Sequence, residues 1–185
     1  MWEILKQAGL DPVPERASTT WADFLRSQAD DLLAADFIET VTLSGQRQYI
    51  LAVIEHATRR VRVLGTTARP SASRVIQAIR NLVRDLDDAG CRARFLLRDR
   101  DGTFPAHMDE ILTEGGIKTV LTGIRMPRMN SIMERWVQSC RHELLGRCQI
   151  WNERHLRHAL LEYEHFYTLR EHQTGNILHV TPASR

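Results

Sequence analysis

The sequence predicts one α/β domain, with a mixed five-stranded sheet, helices on both faces and a helical linker in front. Three observations predict it. The chain has 185 residues, a length that supports one hydrophobic core and rarely two. Its composition is 43% hydrophobic and 26% charged, which is typical of a globular protein and excludes wholesale disorder or a fibrous repeat. Its apolar residues follow the period of strands early in the chain and alternate between strand and helix periods later.

Residues 1–33 differ in character from the rest. A Pro-rich stretch at 11–14 is typical of a joint. A helix is expected from about 20 to 33, where a threonine can cap it and Trp21, Phe24 and Leu25 begin an apolar side. We therefore interpret 1–33 as a helical linker or the remnant of an upstream region, 34–170 as the main domain and 171–185 as an irregular tail.

The main domain reads as three strands followed by alternating helices and strands. The β-rich segments at 36–43, 49–55 and 60–65 are joined by short polar turns, which predicts an antiparallel meander. Beyond them the pattern predicts helices at 75–86, 106–114, 129–145 and 152–168, and strands at 94–97 and 117–121. This order, β-β-β-α-β-α-β-α, is the one that the ribonuclease-H-like fold uses.

Signals for export, membrane insertion and structural metal are weak. The longest apolar run, at 49–54, is far shorter than the 18 or so residues of a membrane helix, and the N-terminus does not resemble a signal peptide. The three cysteines form no CxxC pair, which favours reduced thiols over disulfides or zinc. We expect a protein of the cytoplasm without a membrane partner.

Basic residues concentrate in one segment. Residues 118–157 carry eight basic and three acidic side chains. Arginine supplies 23 of the 25 basic residues of the chain, and its planar fork suits bidentate contact with phosphate. A solvated helix surface explains the same distribution equally well.

Four acids lie where this topology would let them meet. Asp36 opens the first predicted strand, Asp99 and Asp101 follow the fourth, and Glu134 lies early in a long helix. Clustered carboxylates repel one another unless a cation or a proton intervenes, and oxygen ligands without thiolates favour Mg²⁺ or Mn²⁺. Each acid alone is more often a turn former or a cap.

Three segments together resemble a known family. Residues 36–60, with Asp36-Phe37 and the apolar run before Glu55, residues 95–104 and residues 127–136 are similar to the catalytic core of DDE transposases and retroviral-type integrases. The nearest resemblance is to integrase-core proteins of bacterial insertion sequences, over about residues 20–167. Between Asp36 and Asp99 lie 62 residues, and between Asp99 and Glu134 lie 34, close to the family's spacing of about 35. Asp101 would leave 32, so we choose Asp99 as the second acid and Asp101 as its support.

The resemblance implies a metal-dependent polynucleotidyl transferase that cleaves DNA and joins DNA strands in recombination. Asp36, Asp99 and Glu134 would hold two Mg²⁺ or Mn²⁺ ions at the scissile phosphate. The implied partner is double-stranded DNA, as transposon ends and target, with the protein acting as a homo-oligomer on DNA and associated with the bacterial nucleoid when it is bound there. A polar stripe on and before the helix of Glu134 could follow the DNA, or could be an ordinary solvated face; the candidate DNA-binding residues are Arg128, Asn130, Arg135, Gln138 and Arg141.

Two other functions stay open. No helix-turn-helix and no HHCC zinc module precede the core, so the protein could be a truncated, catalytically silent transposase that binds DNA or regulates a full-length partner. It could also be a ribonuclease-H-like nuclease that cuts strands and never joins them.

Overall fold

Five strands form one mixed sheet in the computed structural model, which describes residues 23, 25, 27–122 and 130–178, with side chains as far as residue 171. The strands are β1 (Leu32–Val41), β2 (Arg47–Glu55), β3 (Val61–Thr67), β4 (Phe95–Arg98) and β5 (Lys118–Leu121). Their order across the sheet is β3-β2-β1-β4-β5. β1, β2 and β3 form the antiparallel meander, and β4 and β5 continue it in parallel with β1. The predicted ribonuclease-H-like fold class is confirmed.

Among the elements that the structure describes, four helices flank this sheet. They are α1 (Ala72–Asp88), α2 (Met108–Glu114), α3 (Ser131–Ser139) and α4 (Glu153–Leu178). The helix of α3 continues as a π-helical segment, Cys140–Leu145. Local sequence explains the bounds of α1: the Ser71 hydroxyl accepts a hydrogen bond from the Arg74 amide as an N-cap, and Gly90 supplies the positive φ of 63° that follows the helix end.

The sheet is covered on both faces, as expected. On one face Ala34, Ile38 and Ala52 pack beneath α3 and α4, and Trp136 of α3 is fully buried there. On the other face the alternate residues of the same strands pack against α1 and α2, with Leu82 and Leu112 among the buried residues. Because successive residues of a strand point to opposite faces, β1 contributes to both cores and lies at the centre of the sheet.

Three predicted boundaries were wrong. β1 starts at Leu32, after a 3-10 turn at Ala29–Asp31, so the helix expected over 20–33 does not reach its predicted end. The cause is that the first four residues of β1 are all buried, and a central strand buried on both faces lacks the alternation that identifies strands. The rest of that predicted helix lies mainly outside the described residues.

The third boundary is at the C-terminus. The predicted helix at 152–168 continues to Leu178, so residues 171–178 of the expected irregular tail are helical. Arg170 anchors this extension, because its guanidinium binds the Glu143 carboxylate at 2.9 Å and lies 5.1 Å from the ring centre of Tyr167. Among the described residues, no helix is both long enough and apolar enough to cross a membrane.

Candidate active site

Asp36 and Asp99 lie at equivalent positions on two adjacent parallel strands. The ladder between β1 and β4 pairs Ala34 with Leu97. Asp36 stands two residues beyond Ala34, and Asp99 two residues beyond Leu97, directly after the end of β4. Paired residues of parallel strands point to the same face, and Ala34 and Leu97 both belong to the core beneath α3. The sheet therefore directs both acids towards the side that α3 covers.

The Asp36 carboxyl is half-buried and surrounded by other charges. Burial, joined by the negative charges of Asp99 and Asp101, raises the pKa of Asp36 from 3.8 to about 6. Two groups act against this rise in its pKa: the Phe37 amide donates a 2.8 Å hydrogen bond to Asp36 Oδ1, and the Arg141 guanidinium lies close enough to attract the carboxylate. An additional positive charge nearby would therefore stabilise the ionised form of this carboxyl.

The loop after β4 fixes Asp99 and Asp101 in different ways. The Asp101 amide donates to Asp99 Oδ1 at 3.0 Å. Asp101 Oδ1 in turn accepts hydrogen bonds from the amide and the hydroxyl of Thr103, both at 2.9 Å. Asp101 therefore shapes the turn after β4, and Asp99 is the acid that continues the register of β4.

Glu134 is not brought into this pair. It lies in the first turn of α3 with an exposed side chain, and the charges that act on Asp36 include Asp99, Asp101 and Arg141 but not Glu134. Arg141 follows Glu134 by seven residues, so the two share one side of the helix and stand about 10 Å apart along its axis. Arg141, and not Glu134, is the residue on this side of the helix whose charge acts on Asp36.

The candidate DNA-binding residues have different surroundings. Arg128 lies outside the described residues. Asn130 is only 7% exposed, so it does not present its amide to a DNA strand in this conformation. Gln138 is exposed on the side of Glu134 and Arg141. Arg135 lies near Arg59 of the β2–β3 turn. Burial lowers the pKa of the half-buried Arg59, and the positive charge of Arg135 lowers it further.

The acids fit a divalent cation only in part. Two neighbouring carboxylates at the end of β4, one of them with its pKa raised by burial and by its acidic neighbours, are a donor set that hard cations such as Mg²⁺ or Mn²⁺ accept. Within the part of the chain that the structure describes, however, no three His, Cys, Asp or Glu side chains lie close enough together to hold a metal ion. Of the three predicted acids, the structure therefore brings together Asp36 and Asp99.

One arginine of the site escaped sequence reasoning. Arg98, the last residue of β4, is 7% exposed and binds the Asp109 carboxylate with two nitrogens, at 3.3 and 2.8 Å. Its third contact is a 3.0 Å hydrogen bond to the carbonyl of Asp99. The only sequence signal was a basic residue in a strand end that is otherwise apolar, because Asp109 is eleven residues away along the chain.

No protein-family model matches this sequence, and no curated protein matches it significantly. Solved structures do match. The catalytic domain of the Mos1 mariner transposase has a TM-score of 0.63 at 15% identity, over 86% of each chain. The magnesium complex of the HTLV-2 integrase catalytic core domain, in its dimeric form, has a TM-score of 0.50 at 13% identity, over 71% of this chain and 84% of that one.

A chain of the simian T-cell lymphotropic virus intasome also matches, with a TM-score of 0.55 at 12% identity. The match covers 71% of this chain and 47% of that one, so this chain spans about half of its length. The structural neighbours are thus integrase and transposase catalytic cores, which confirms the predicted resemblance for the fold. At these identities the likeness says nothing about the role of any single residue.

Proposed function

We propose that this chain is the catalytic core of a DDE-type transposase or integrase, which cleaves DNA and transfers DNA strands with the help of divalent metal. The observation that carries the proposal is the juxtaposition of Asp36, within the central strand, and Asp99, at the end of β4, in a fold shared with integrase and transposase catalytic cores. Bound Mg²⁺ or Mn²⁺ would supply Lewis-acid activation of the attacking oxygen and charge stabilisation at the phosphate.

Each residue of the site has a separate task in this proposal. Asp36 and Asp99 are the metal ligands on the sheet. The raised pKa of Asp36 means that its ionised form is disfavoured in the folded chain, and a bound cation would offset that cost. Arg141, next to Asp36, is placed to contact a phosphate of the DNA strand, since its guanidinium matches phosphate geometry. Gln138 lies between Arg141 and Glu134 along the exposed side of α3 and is placed to contact the same strand.

Glu134 is the third ligand in this proposal. It lies on the same side of α3 as Arg141, and it needs to move towards the sheet acids when metal and DNA bind. The charge of a divalent cation between Asp36 and Asp99 favours that approach, because it attracts a third carboxylate where the two aspartates alone repel it.

Strand nicking tests the proposal directly. Purified protein and supercoiled DNA are incubated with Mn²⁺ or Mg²⁺, or with EDTA. We expect metal-dependent nicking that Asp36→Asn, Asp99→Asn and Glu134→Gln each reduce roughly a hundredfold or more, since each substitution removes a charged metal ligand. Asp85→Asn, an exposed acid on α1, is the matched control and keeps wild-type activity. Wild-type protein that is folded and shows no metal-dependent cleavage would contradict the proposal.

A joining assay separates strand transfer from simple hydrolysis. The substrate is an oligonucleotide with a free 3′-hydroxyl, mixed with a target plasmid. Covalent joining supports the transferase, whereas cleavage without joining supports a ribonuclease-H-like nuclease. The assay uses Mn²⁺ and random flanking sequences, so that its result does not depend on recognition of specific ends.

One observation favours a second function, that of a catalytically silent partner which binds DNA and regulates an active transposase. Among the described residues, the third acid does not complete a metal-binding group, which is what a core without activity would show. Such a protein binds duplex DNA as tightly with EDTA as with Mn²⁺, and it gives no cleavage. We propose double-stranded DNA as the partner in both functions. We also propose that the protein is a homo-oligomer on DNA, which the mass of the complex, measured by light scattering, tests.

A further inference from the structure

The side chain of Arg98 lies on the opposite face of β4 from Asp99, beneath α2. Its guanidinium packs 5.2 Å from the ring centre of Phe104, and 7% of the residue remains exposed. A charge buried to this extent needs full hydrogen bonding to offset the loss of water. Its described partners are the Asp109 carboxylate, which it binds with two nitrogens, and the Asp99 carbonyl.

Asp109 is itself fixed in place. It lies in the first turn of α2, where a negative charge interacts favourably with the helix dipole. Its Oδ1 also accepts a 2.9 Å hydrogen bond from the hydroxyl of Thr119 on β5. Arg98 therefore connects the end of β4 to an anchor that is held by a helix and by the neighbouring strand.

The third contact of Arg98 reaches the site. Asp99 is the first residue after β4, and no ladder partner is described for its carbonyl. The hydrogen bond from Arg98 Nη1 to this carbonyl fixes the peptide group between Asp99 and Arg100. The next turn then places the Asp101 amide on Asp99 Oδ1. With one carboxylate oxygen held in this way, the Asp99 side chain has a defined orientation beside Asp36.

We propose that Arg98, anchored by Asp109, is a positioning residue that holds Asp99 in the orientation in which its carboxylate binds a divalent cation beside Asp36. This inference rests on the proposed function. Side chains that orient metal ligands through hydrogen bonds typically contribute tenfold to hundredfold to metal affinity. An arginine suits the task because its fork binds a carboxylate with two nitrogens and leaves further donors for a carbonyl.

The test measures Mn²⁺ binding to the metal-free protein by electron paramagnetic resonance, with thermal melting in EDTA as a measure of stability. The variants are Arg98→Lys, which keeps the charge and loses the fork, and Asp109→Asn, which keeps the shape and loses the charge. The matched control is Arg62→Lys, because Arg62 forms a comparably buried ion pair with Glu55 at 3.2 Å on the far side of the sheet. Asp36→Asn serves as the variant without a ligand.

We expect Arg98→Lys and Asp109→Asn to weaken Mn²⁺ binding by roughly tenfold or more, and Arg62→Lys to leave it unchanged at a similar loss of melting temperature. Raising the Mn²⁺ concentration should restore DNA nicking by Arg98→Lys towards the wild-type rate. If Asp36→Asn abolishes Mn²⁺ binding while folded Arg98→Lys and Asp109→Asn both bind Mn²⁺ as the wild type does, the positioning role is overturned and the proposed function stands. Wild-type protein that binds no Mn²⁺ overturns both.

Discussion

Replacing Asp36 by asparagine is expected to stabilise the metal-free protein. The folded chain raises the pKa of Asp36 from 3.8 to about 6, chiefly by burial. At pH 7 the carboxyl is ionised in both the folded and the unfolded chain, so the folded chain bears the cost of holding the charge. Since one pKa unit corresponds to about 1.4 kcal/mol, that cost is about 3 kcal/mol.

Asparagine removes the charge and keeps an oxygen that can accept the 2.8 Å hydrogen bond from the Phe37 amide. In a chain of 185 residues, about 3 kcal/mol corresponds to a rise in melting temperature of roughly 6 to 12 °C. The measurement is a thermal melt by circular dichroism at pH 7 in EDTA. Asp85→Asn on α1 is the control, and a change within about 0.5 kcal/mol is expected for such an exposed position.

The pH dependence gives the sign of the effect. A carboxyl whose folded pKa is raised takes up a proton on folding between the two pKa values, so its ionic cost is absent below about pH 4 and complete above about pH 6. The advantage of Asp36→Asn over wild type should therefore shrink as the pH falls from 7 to 4. Mn²⁺ at pH 7 should also reduce it, because the cation stabilises wild-type protein and has no comparable site in the variant.

The comparison with wild type at each pH is essential, because a second group works in the opposite direction. Burial lowers the pKa of His56 from 6.5 to about 4. Its contribution to stability is complete above pH 6.5 and is lost as the pH falls towards 4, over nearly the range in which Asp36 stops destabilising the fold. An Asp36→Asn variant that melts at or below the wild-type temperature at pH 7 in EDTA would refute the reasoning.

Three other substitutions have definite expectations. His56→Gln should remove the contribution of His56 to the pH dependence, so that the stability of the variant relative to wild type rises by up to about 3 kcal/mol as the pH falls from 6.5 to 4 in urea titrations; an unchanged difference between the two proteins would count against burial as the cause. Trp136→Ala should cost about 3 to 5 kcal/mol by the same method, because this side chain is 0% exposed at the centre of the core beneath α3; a loss below 1 kcal/mol would place it elsewhere. Tyr163→Phe should cost roughly 1 kcal/mol, because it removes the 2.8 Å hydrogen bond to Glu143 and leaves the Arg170 pair intact; a Glu143→Ala background, which has no acceptor for the hydroxyl, in which it still costs the same would contradict that assignment.

The sheet could be predicted from the sequence because its strands and turns depend mainly on residues that are close together along the chain. Strands β2 and β3 follow β-rich apolar runs joined by short turns, and a short turn permits only antiparallel neighbours. Helix α1 was equally accessible, since its buried residues Val75, Ile79, Leu82 and Leu86 recur at helical spacing. The start of β1 was missed for the converse reason: Leu32 and Leu33 are both buried, and a strand that is covered on both faces loses its period.

The Arg98 contacts could not be predicted in this way. They depend on the loop after β4 bringing Asp109 back beneath the strand end and on β5 adding the Thr119 hydroxyl. These are tertiary distances between residues that have no periodic relation along the chain. Burial of Asn130, expected from its sequence position to face DNA, is a consequence of the same kind.

The two halves of the candidate site differ in what the sequence can determine. The position of an acid on a strand follows from hydrogen-bonded register, so once β1 and β4 are neighbours, Asp36 and Asp99 are brought to one level within a residue. An acid on a helix is placed by the rotation and the sliding of that helix on the sheet, which the packing of side chains such as Met133 and Val137 decides. A spacing of 34 residues between Asp99 and Glu134 constrains neither quantity. The helical period selects the side of α3 on which Glu134 lies, and the attraction of Arg141 for Asp36 agrees with that side. The distance that remains between Glu134 and the two sheet acids depends on how far α3 slides along its axis. In the proposed function, the bound metal is the charge that favours a shorter distance.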